Sequence, residues 1–156
     1  MIIEPQFVEK GAFTLVGMGI TTKPMAGEIA ALWQTFAPRI HEVASIAEPM
    51  VSYGVIEDFD AVHFTLQYTA AVSVSDTRNI PGQMTTLAIG PNTYAVFKAT
   101  LGTLGDVFGF IFNSWMPNSG FEMVKAPHFE RYGASFNPAV PGSEIEIYIP
   151  VRTRST

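Results

Sequence analysis

The sequence predicts a single α+β domain built from two similar halves, each with the order strand, helix, strand, strand. Apolar residues make up 47% of the 156 residues and charged residues only 15%. The hydrophobic periodicity switches between that of strands and that of helices, and the same order of elements occurs twice, over about residues 1–78 and 79–156. The apolar excess by itself fits a filled core as well as an enclosed ligand cavity.

The first half is predicted to contain one strand, one helix and two further strands. These elements are expected at residues 12–22, 26–36, 51–57 and 64–74. Trp33 lies late on the helix, and Pro38 ends it. The last of the three strands alternates apolar and polar residues, which is typical of a strand with one buried face. An acidic turn at residues 57–60 is expected to join it to the preceding strand.

The second half repeats this order after a short strand at residues 84–89. Its elements are expected at residues 94–101, 104–115, 121–125, 128–133 and 144–151. Trp115 again lies late on the helix, close to Pro117. One βαββ unit exposes an edge and a face of its sheet, so two units side by side cover each other and leave a groove along a pseudo-twofold axis. We expect an antiparallel sheet with two main helices on one face and the groove on the other.

Composition argues against several classes of protein. The net charge is −5, and the nine lysines and arginines form no basic stripe, so we predict no direct binding of nucleic acid. The absence of cysteine excludes disulfides and thiolate metal sites. Acidic residues and a proline interrupt residues 1–10, and polar residues interrupt the longer uncharged stretches. We therefore expect no signal peptide, no membrane span and a cytoplasmic protein.

Standard catalytic and cofactor motifs are also absent from the sequence. His41, His63 and His128 lie far apart, without the paired spacing of a metal site, and are expected at the surface or in capping positions. The sequence contains no Gly-x-Ser-x-Gly elbow, no complete dinucleotide fingerprint and no phosphate-binding loop. We therefore predict neither a metal nor a cofactor.

Several stretches of the chain nevertheless resemble a known family. Residues 94–97, 113–121 (Asn-Ser-Trp-Met-Pro-Asn-Ser-Gly-Phe), 127–132 (Pro-His-Phe-Glu-Arg-Tyr) and 146–151 are similar to the GyrI-like effector-binding domain, and residues 68–74 extend the resemblance into the first half. The resemblance implies two SHS2-like halves and a pocket for bulky, lipophilic, often cationic molecules. In many relatives this domain is the drug-sensing part of an AraC-type or MerR-type transcription activator. Here we expect its stand-alone form.

Glu130 is the strongest candidate for contact with a ligand. Strand alternation places it on one face with Tyr132, and Tyr148 lies on the non-isoleucine face of the last strand. From the pattern alone, a strand-edge carboxylate paired with Arg131 or Lys125 is the favoured interpretation. The resemblance matches Glu130 to the family's ligand-binding glutamate and so favours a pocket.

We predict a pocket in which aromatic rings surround this carboxylate. The expected ligand-binding residues are Glu130, Tyr132, Tyr148, Tyr68, Trp115 and Trp33. Such a site attracts organic cations through charge and ring quadrupole together, and burial would raise the pKa of the carboxyl group. A role as core anchors is the alternative for both tryptophans.

Three functions stay open. The first is the binding of lipophilic cations for sensing or sequestration. The second, which the resemblance also implies, is hydrolysis of cyclopropane-type drugs with Glu130 as general base. The third, which the resemblance also implies, is that of an interaction protein that binds DNA gyrase. A small organic ligand is the expected partner, and a homodimer or a separate regulator protein stays open.

Overall fold

The computed structural model describes residues 3–155 and shows one antiparallel sheet of nine strands with two main helices. The strands are β1 Gln6–Lys10, β2 Phe13–Thr22, β3 Ser52–Asp60, β4 Thr65–Val74, β5 Thr85–Ile89, β6 Asn92–Ala99, β7 Phe121–Met123, β8 His128–Tyr132 and β9 Ile145–Thr153. The helices are α1 Gly27–Phe36, α2 Leu104–Phe110 and the short α3 Met116–Asn118. A 3₁₀ turn, Ala37–Glu42, extends α1, and a π-helical turn, Ile111–Trp115, joins α2 to α3. Within residues 3–155, no helix is long and apolar enough to cross a membrane.

The order of strands in the sheet shows the relation between the two halves. The order is β1-β6-β9-β8-β3-β4-β2-β5, and β7 pairs with the end of β9. It reads the same from either edge when β1 is exchanged with β5, β2 with β6, β3 with β8 and β4 with β9. The predicted α+β class with doubled βαββ order is therefore confirmed. The β3–β8 pair lies at the centre and joins the halves.

The two outer strands each cross to the other half. β1, which was not predicted, pairs with β6 of the second half. In the same way β5, which precedes β6 in the chain, pairs with β2 of the first half. Each half therefore covers one edge of the other, which gives a continuous run of eight strands.

The predicted acidic turn at residues 57–60 is wrong. β3 continues to Asp60 through a bulge, with Asp58 in the left-handed region at φ 54°. The side chain of Asp60 sets the turn at residues 61–64, because its Oδ1 accepts hydrogen bonds from the backbone N–H groups of Val62 and His63. This arrangement is typical of an aspartate that initiates a turn.

Three clusters of buried side chains occupy the two faces of the sheet. On the helix face, one cluster lies beneath α1 around Phe36, and another lies beneath α2. The latter includes Ile147 and Ile149, so the isoleucine face of β9 lies beneath a helix, as predicted. The third cluster fills the other face, where Tyr53 and Phe129 are fully buried. The face expected to hold the groove is therefore packed with side chains.

Ile147 tests the contribution of the cluster beneath α2. We expect Ile147→Ala to lower the free energy of unfolding by about 2–5 kcal/mol, because the side chain is fully buried and its removal leaves a cavity. Val62→Ala serves as the control: Val62 is 88% exposed, and its truncation should change stability by less than about 0.5 kcal/mol. Urea denaturation monitored by tryptophan fluorescence measures both. Equal effects for the two variants would contradict the placement of Ile147.

Candidate ligand-binding site

Glu130 lies at the centre of the sheet, on the central pair of strands. On β8 it is directly opposite Gly54 of β3 on one side and Ile147 of β9 on the other. Directly opposed residues in an antiparallel sheet point to the same face. Glu130 therefore lies on the helix face together with Ile147, and its expected position opposite the isoleucines is wrong. Alternation within each strand could not reveal this, because only the register between strands relates their faces.

The same register separates two predicted residues from Glu130. Tyr148 is opposite Phe129, and their rings stack at a centroid distance of 4.8 Å on the other face of the sheet. Trp115 lies on the helix face but packs against Phe97 at 5.1 Å, in the cluster beneath α2. The expectation that Tyr148 and Trp115 share one pocket with Glu130 is therefore wrong.

Three aromatic side chains do meet at Glu130. Tyr132 donates a hydrogen bond to Glu130 Oε1 at 2.8 Å, and Tyr68 of β4 donates to the same oxygen at 2.9 Å. Trp33 of α1 donates its indole N–H to the Tyr68 hydroxyl at 2.9 Å. The Trp33 ring also meets Tyr132 edge to face at 5.4 Å. The structure thus joins four of the six predicted residues in one hydrogen-bonded group.

The carboxyl group of Glu130 is buried without a cationic partner. The residue is 4% exposed, and no basic side chain among residues 3–155 forms an ion pair with it. Burial raises its pKa to about 7, although the hydrogen bonds from Tyr132 and Tyr68 oppose the shift. Burial, and then the charge of Glu130, raise the pKa of both tyrosines, so they remain hydrogen-bond donors.

Gly54 makes room for this arrangement. A Cβ atom at residue 54 would collide with the Tyr68 hydroxyl and lie 2.7 Å from Glu130 Oε1. Glycine is therefore required for close approach of the two side chains and not for an unusual backbone conformation. Gly54 was not among the predicted site residues. A glycine inside a predicted strand was the signal that could have identified it.

His128 forms part of the wall beside Glu130. It lies on the same face of β8 and packs between Phe108 and Phe112, with ring centroids at 6.0 and 5.9 Å. His128 is half-buried among these rings, so its expected surface or capping position is wrong, and burial lowers its pKa to about 4. Phe108 also contacts the cluster beneath α1, so α2 closes the second side of the site. His63, by contrast, is exposed and contacts Asp60.

Arg131 points away from Glu130, to the other face of β8. It donates to Glu48 and to Glu146, each at 3.1 Å, and Glu48 also accepts hydrogen bonds from Tyr53 and Ser73. The interpretation of Glu130 as a carboxylate paired with Arg131 is therefore wrong, because consecutive strand residues point to opposite faces. Glu146 is half-buried in this network.

A single antiparallel sheet with doubled βαββ order and two main helices is the fold of a GyrI-like effector-binding domain. Comparison with family models identifies the family. Residues 6–151 match the model named Cass2, described as an integron-associated effector binding protein. The chain belongs to this family. No group of three or more metal-ligating side chains occurs within the described range, 3–155.

Individual relatives agree with this assignment. The chain is 32% identical over 149 residues to the transcriptional regulator BrlR of Pseudomonas aeruginosa. The match covers 94% of this chain and 54% of BrlR, so the chain spans about half the length of that relative. The structure of SAV2435 bound to tetraphenylphosphonium matches with a TM-score of 0.74 and 19% identity, over 96% of this chain and 94% of that one. The EcmrR C-terminal domain also reaches 0.74, with 13% identity and coverage of 99% and 100%. Both structures share the fold.

Substitution of Gly54 should disrupt the hydrogen-bonded group. We expect Gly54→Ala to break the Tyr68–Glu130 hydrogen bond, because the added methyl group needs the space of the tyrosine hydroxyl. Trp33 then loses its ordered acceptor, and its fluorescence should change. Gly142→Ala is the matched control, since a Cβ atom there meets nothing within 4 Å. Unchanged Trp33 emission in Gly54→Ala, recorded in a Trp115→Phe background, would contradict the arrangement.

Stability should depend on pH in opposite ways through Glu130 and His128. Between pH 4.5 and 7 the folded state keeps a proton on Glu130 that the unfolded chain releases, so this group's contribution falls as pH rises. Between pH 4 and 6.5 the unfolded chain protonates its histidine while folded His128 stays neutral, so that contribution rises with pH. The two effects offset each other between pH 4.5 and 6.5.

Glu130→Gln removes one of these two effects. The difference in unfolding free energy, wild type minus Glu130→Gln, should fall by about 3 kcal/mol between pH 4.5 and 7. Urea denaturation at a series of pH values measures it. Glu146→Gln provides the control with the same chemical change on the other face. A difference that does not vary with pH would show that Glu130 is ionised normally in the folded protein.

Proposed function

We propose that this domain binds lipophilic organic cations, with Glu130 as the counter-charge and Trp33, Tyr68 and Tyr132 as the aromatic surface. The observation that carries the proposal is the buried carboxyl group of Glu130, which two tyrosines hold but no described cationic side chain neutralises. Burying an unpaired carboxylate costs several kcal/mol, and a cation from outside the chain would offset this cost.

The chemistry of the surroundings favours an organic cation over a metal ion. Only Glu130 supplies a carboxylate in this group, and its neighbours are phenol and indole rings, which suit a weakly hydrated cation better than a strongly hydrated one. Both hydrogen bonds reach Oε1, and Oε2 accepts none from residues 3–155. Oε2 is therefore the oxygen free to face a ligand.

The site is closed in the structure. Trp33 packs edge to face against Tyr132 and also against Phe36 at 6.1 Å, and Glu130 lies beneath these rings. A bulky ligand must displace Trp33, Tyr132 or both to reach the carboxylate. The ligand's rings would then replace the aromatic contacts that the displaced side chains lose. Because this rearrangement offsets part of the binding free energy, we expect micromolar affinities for several unrelated cations.

The relatives support this proposal. SAV2435, which shares the fold, was solved with tetraphenylphosphonium, a permanent lipophilic cation. BrlR is a transcriptional regulator, and this chain matches about half of it. We propose that the domain senses or sequesters such compounds. In the sensing role, the ligand displaces Trp33, and a regulatory module responds to this displacement. That module belongs to the same protein or to a separate one.

Tetraphenylphosphonium tests the role of the charge. We expect Glu130→Gln to weaken its binding at pH 8 by at least about tenfold, because the substitution removes the counter-charge but keeps the shape of the side chain. Isothermal titration calorimetry measures the affinity. Glu146→Gln should bind as the wild type does, since Glu146 is bound to Arg131 on the other face. Equal affinities of the wild type and Glu130→Gln would refute the counter-charge role.

Hydrolysis is the second candidate function, and the observation that favours it is the buried carboxyl group of Glu130, whose Oε2 accepts no hydrogen bond from residues 3–155. A carboxyl group with a pKa of about 7 suits a general base at neutral pH. Its Oε2 atom would activate the water, and Tyr68 and Tyr132 would hold the carboxylate in place. Incubation with a cyclopropane-type alkylating compound, followed by mass spectrometry, would detect an added water in the product. Loss of this product in Glu130→Gln would support the enzymatic function.

A further inference from the structure

A second group of aromatic rings lies on the helix face, near the β1 edge of the sheet. Phe121 of β7 stacks with two other rings. Its centroid lies 4.9 Å from that of Phe7 on β1 and 6.0 Å from that of Trp115. β1 lies three strands from β8 in the sheet, which corresponds to about 14 Å at the usual strand spacing. These rings therefore form a group separate from the one around Glu130.

The rings border a surface depression of about 520 Å³, within the size range of small-molecule sites. Its lining residues are Glu4, Pro5, Phe7, Phe110, Ser114, Trp115, Asn118, Ser119 and Phe121. Phe7 is 50% exposed although it is a large apolar side chain. The depression thus offers a ring surface directly to solvent, whereas the aromatic rings around Glu130 cover a buried group.

The polar groups of the depression indicate the charge of its ligand. Glu4 is exposed and contributes a carboxylate, and none of the lining residues is a lysine or an arginine. The indole N–H of Trp115 donates to no acceptor among residues 3–155, unlike that of Trp33. Arg154 contacts the same elements, but its guanidinium donates to the backbone carbonyls of Phe121, Pro117 and Met116.

We propose that this depression is a second binding site, for aromatic organic cations. The stacked rings of Phe7, Phe121 and Trp115 supply the contact surface, and Glu4 supplies the charge. The Trp115 N–H is free for an acceptor on the ligand. Because the carboxylate here is exposed and fully hydrated, its attraction is weaker than that of a buried carboxylate. The site therefore takes up ligand at higher concentrations than the site at Glu130.

The two tryptophans permit separate measurement of the two sites. Trp33→Phe leaves Trp115 as the only tryptophan, and Trp115→Phe leaves only Trp33. We titrate the full chain carrying Trp33→Phe with tetraphenylphosphonium and follow the fluorescence of Trp115. We expect saturable quenching that persists when Glu130→Gln is added. This result is independent of the proposed function of Glu130, which the Trp33 signal reports.

Substitutions in the depression identify its charge and its ring surface. In the Trp33→Phe background, Glu4→Gln should raise the Kd at the Trp115 site about two- to fivefold, and Phe7→Ala about tenfold. Glu9→Gln, the same charge change on β1 but outside the depression, should leave the Kd unchanged. Neutral triphenylphosphine oxide should bind more weakly than the cation.

Four outcomes would overturn the proposal of a second, cation-selective site. Quenching that increases linearly without saturation would show collisions with an exposed ring and no binding. Quenching that disappears with Glu130→Gln would show that Trp115 reports the first site. Equal affinity for triphenylphosphine oxide, or an unchanged Kd in Glu4→Gln, would remove the cation selectivity. Because Glu4 is exposed, Glu4→Gln tests the proposal even if Phe7→Ala fails to fold.

Discussion

The pairing of β3 with β8 is the constraint on which both the fold and the candidate site depend. It joins the two halves and places Gly54 directly opposite Glu130. The first half supplies Gly54, Tyr68 and Trp33, and the second supplies Glu130 and Tyr132. A slip of one residue in this pairing would place Gly54 on the opposite face from Glu130. Neither half contains the hydrogen-bonded group alone, so site and assembly of the sheet are inseparable.

Two neighbouring charged residues on β8, Glu130 and Arg131, lie on opposite faces and differ in their pairing. Arg131 is matched by the carboxylates of Glu48 and Glu146, and this half-buried network needs no further partner. Glu130, one residue away, is buried with phenol hydroxyls alone. The chain thus pairs the charge of Arg131 but leaves the carboxyl group of Glu130 without an opposite charge. Such a departure from the usual rules for stability is typical of functional sites. The contrast within two residues is the strongest argument for ligand binding.

Much of the fold was predictable because its elements follow local periodicity. The helix with Trp33 ends where Pro38 requires, and the alternation of residues 65–74 identified β4. The extension of β3 to Asp60 was not predictable, because a bulge and the turn held by Asp60 override the apparent turn composition. β1 was not predictable either, because a short edge strand is defined by its pairing partner, here β6, and not by its own sequence pattern.

The sequence by itself determined the class of fold, because this follows from local periodicity. It also singled out Glu130 as the expected ligand-binding residue, because the family resemblance of residues 127–132 lies within a single segment. Only the tertiary structure decided which rings meet that carboxylate. Strand register placed Tyr148 on the other face, and the position of β1 and β7 grouped Trp115 with Phe7. Whether two side chains on different strands point to the same face depends on the register between the strands, so no single segment determines it. The two tryptophans, equivalent in the repeat pattern, therefore lie in different groups of aromatic rings.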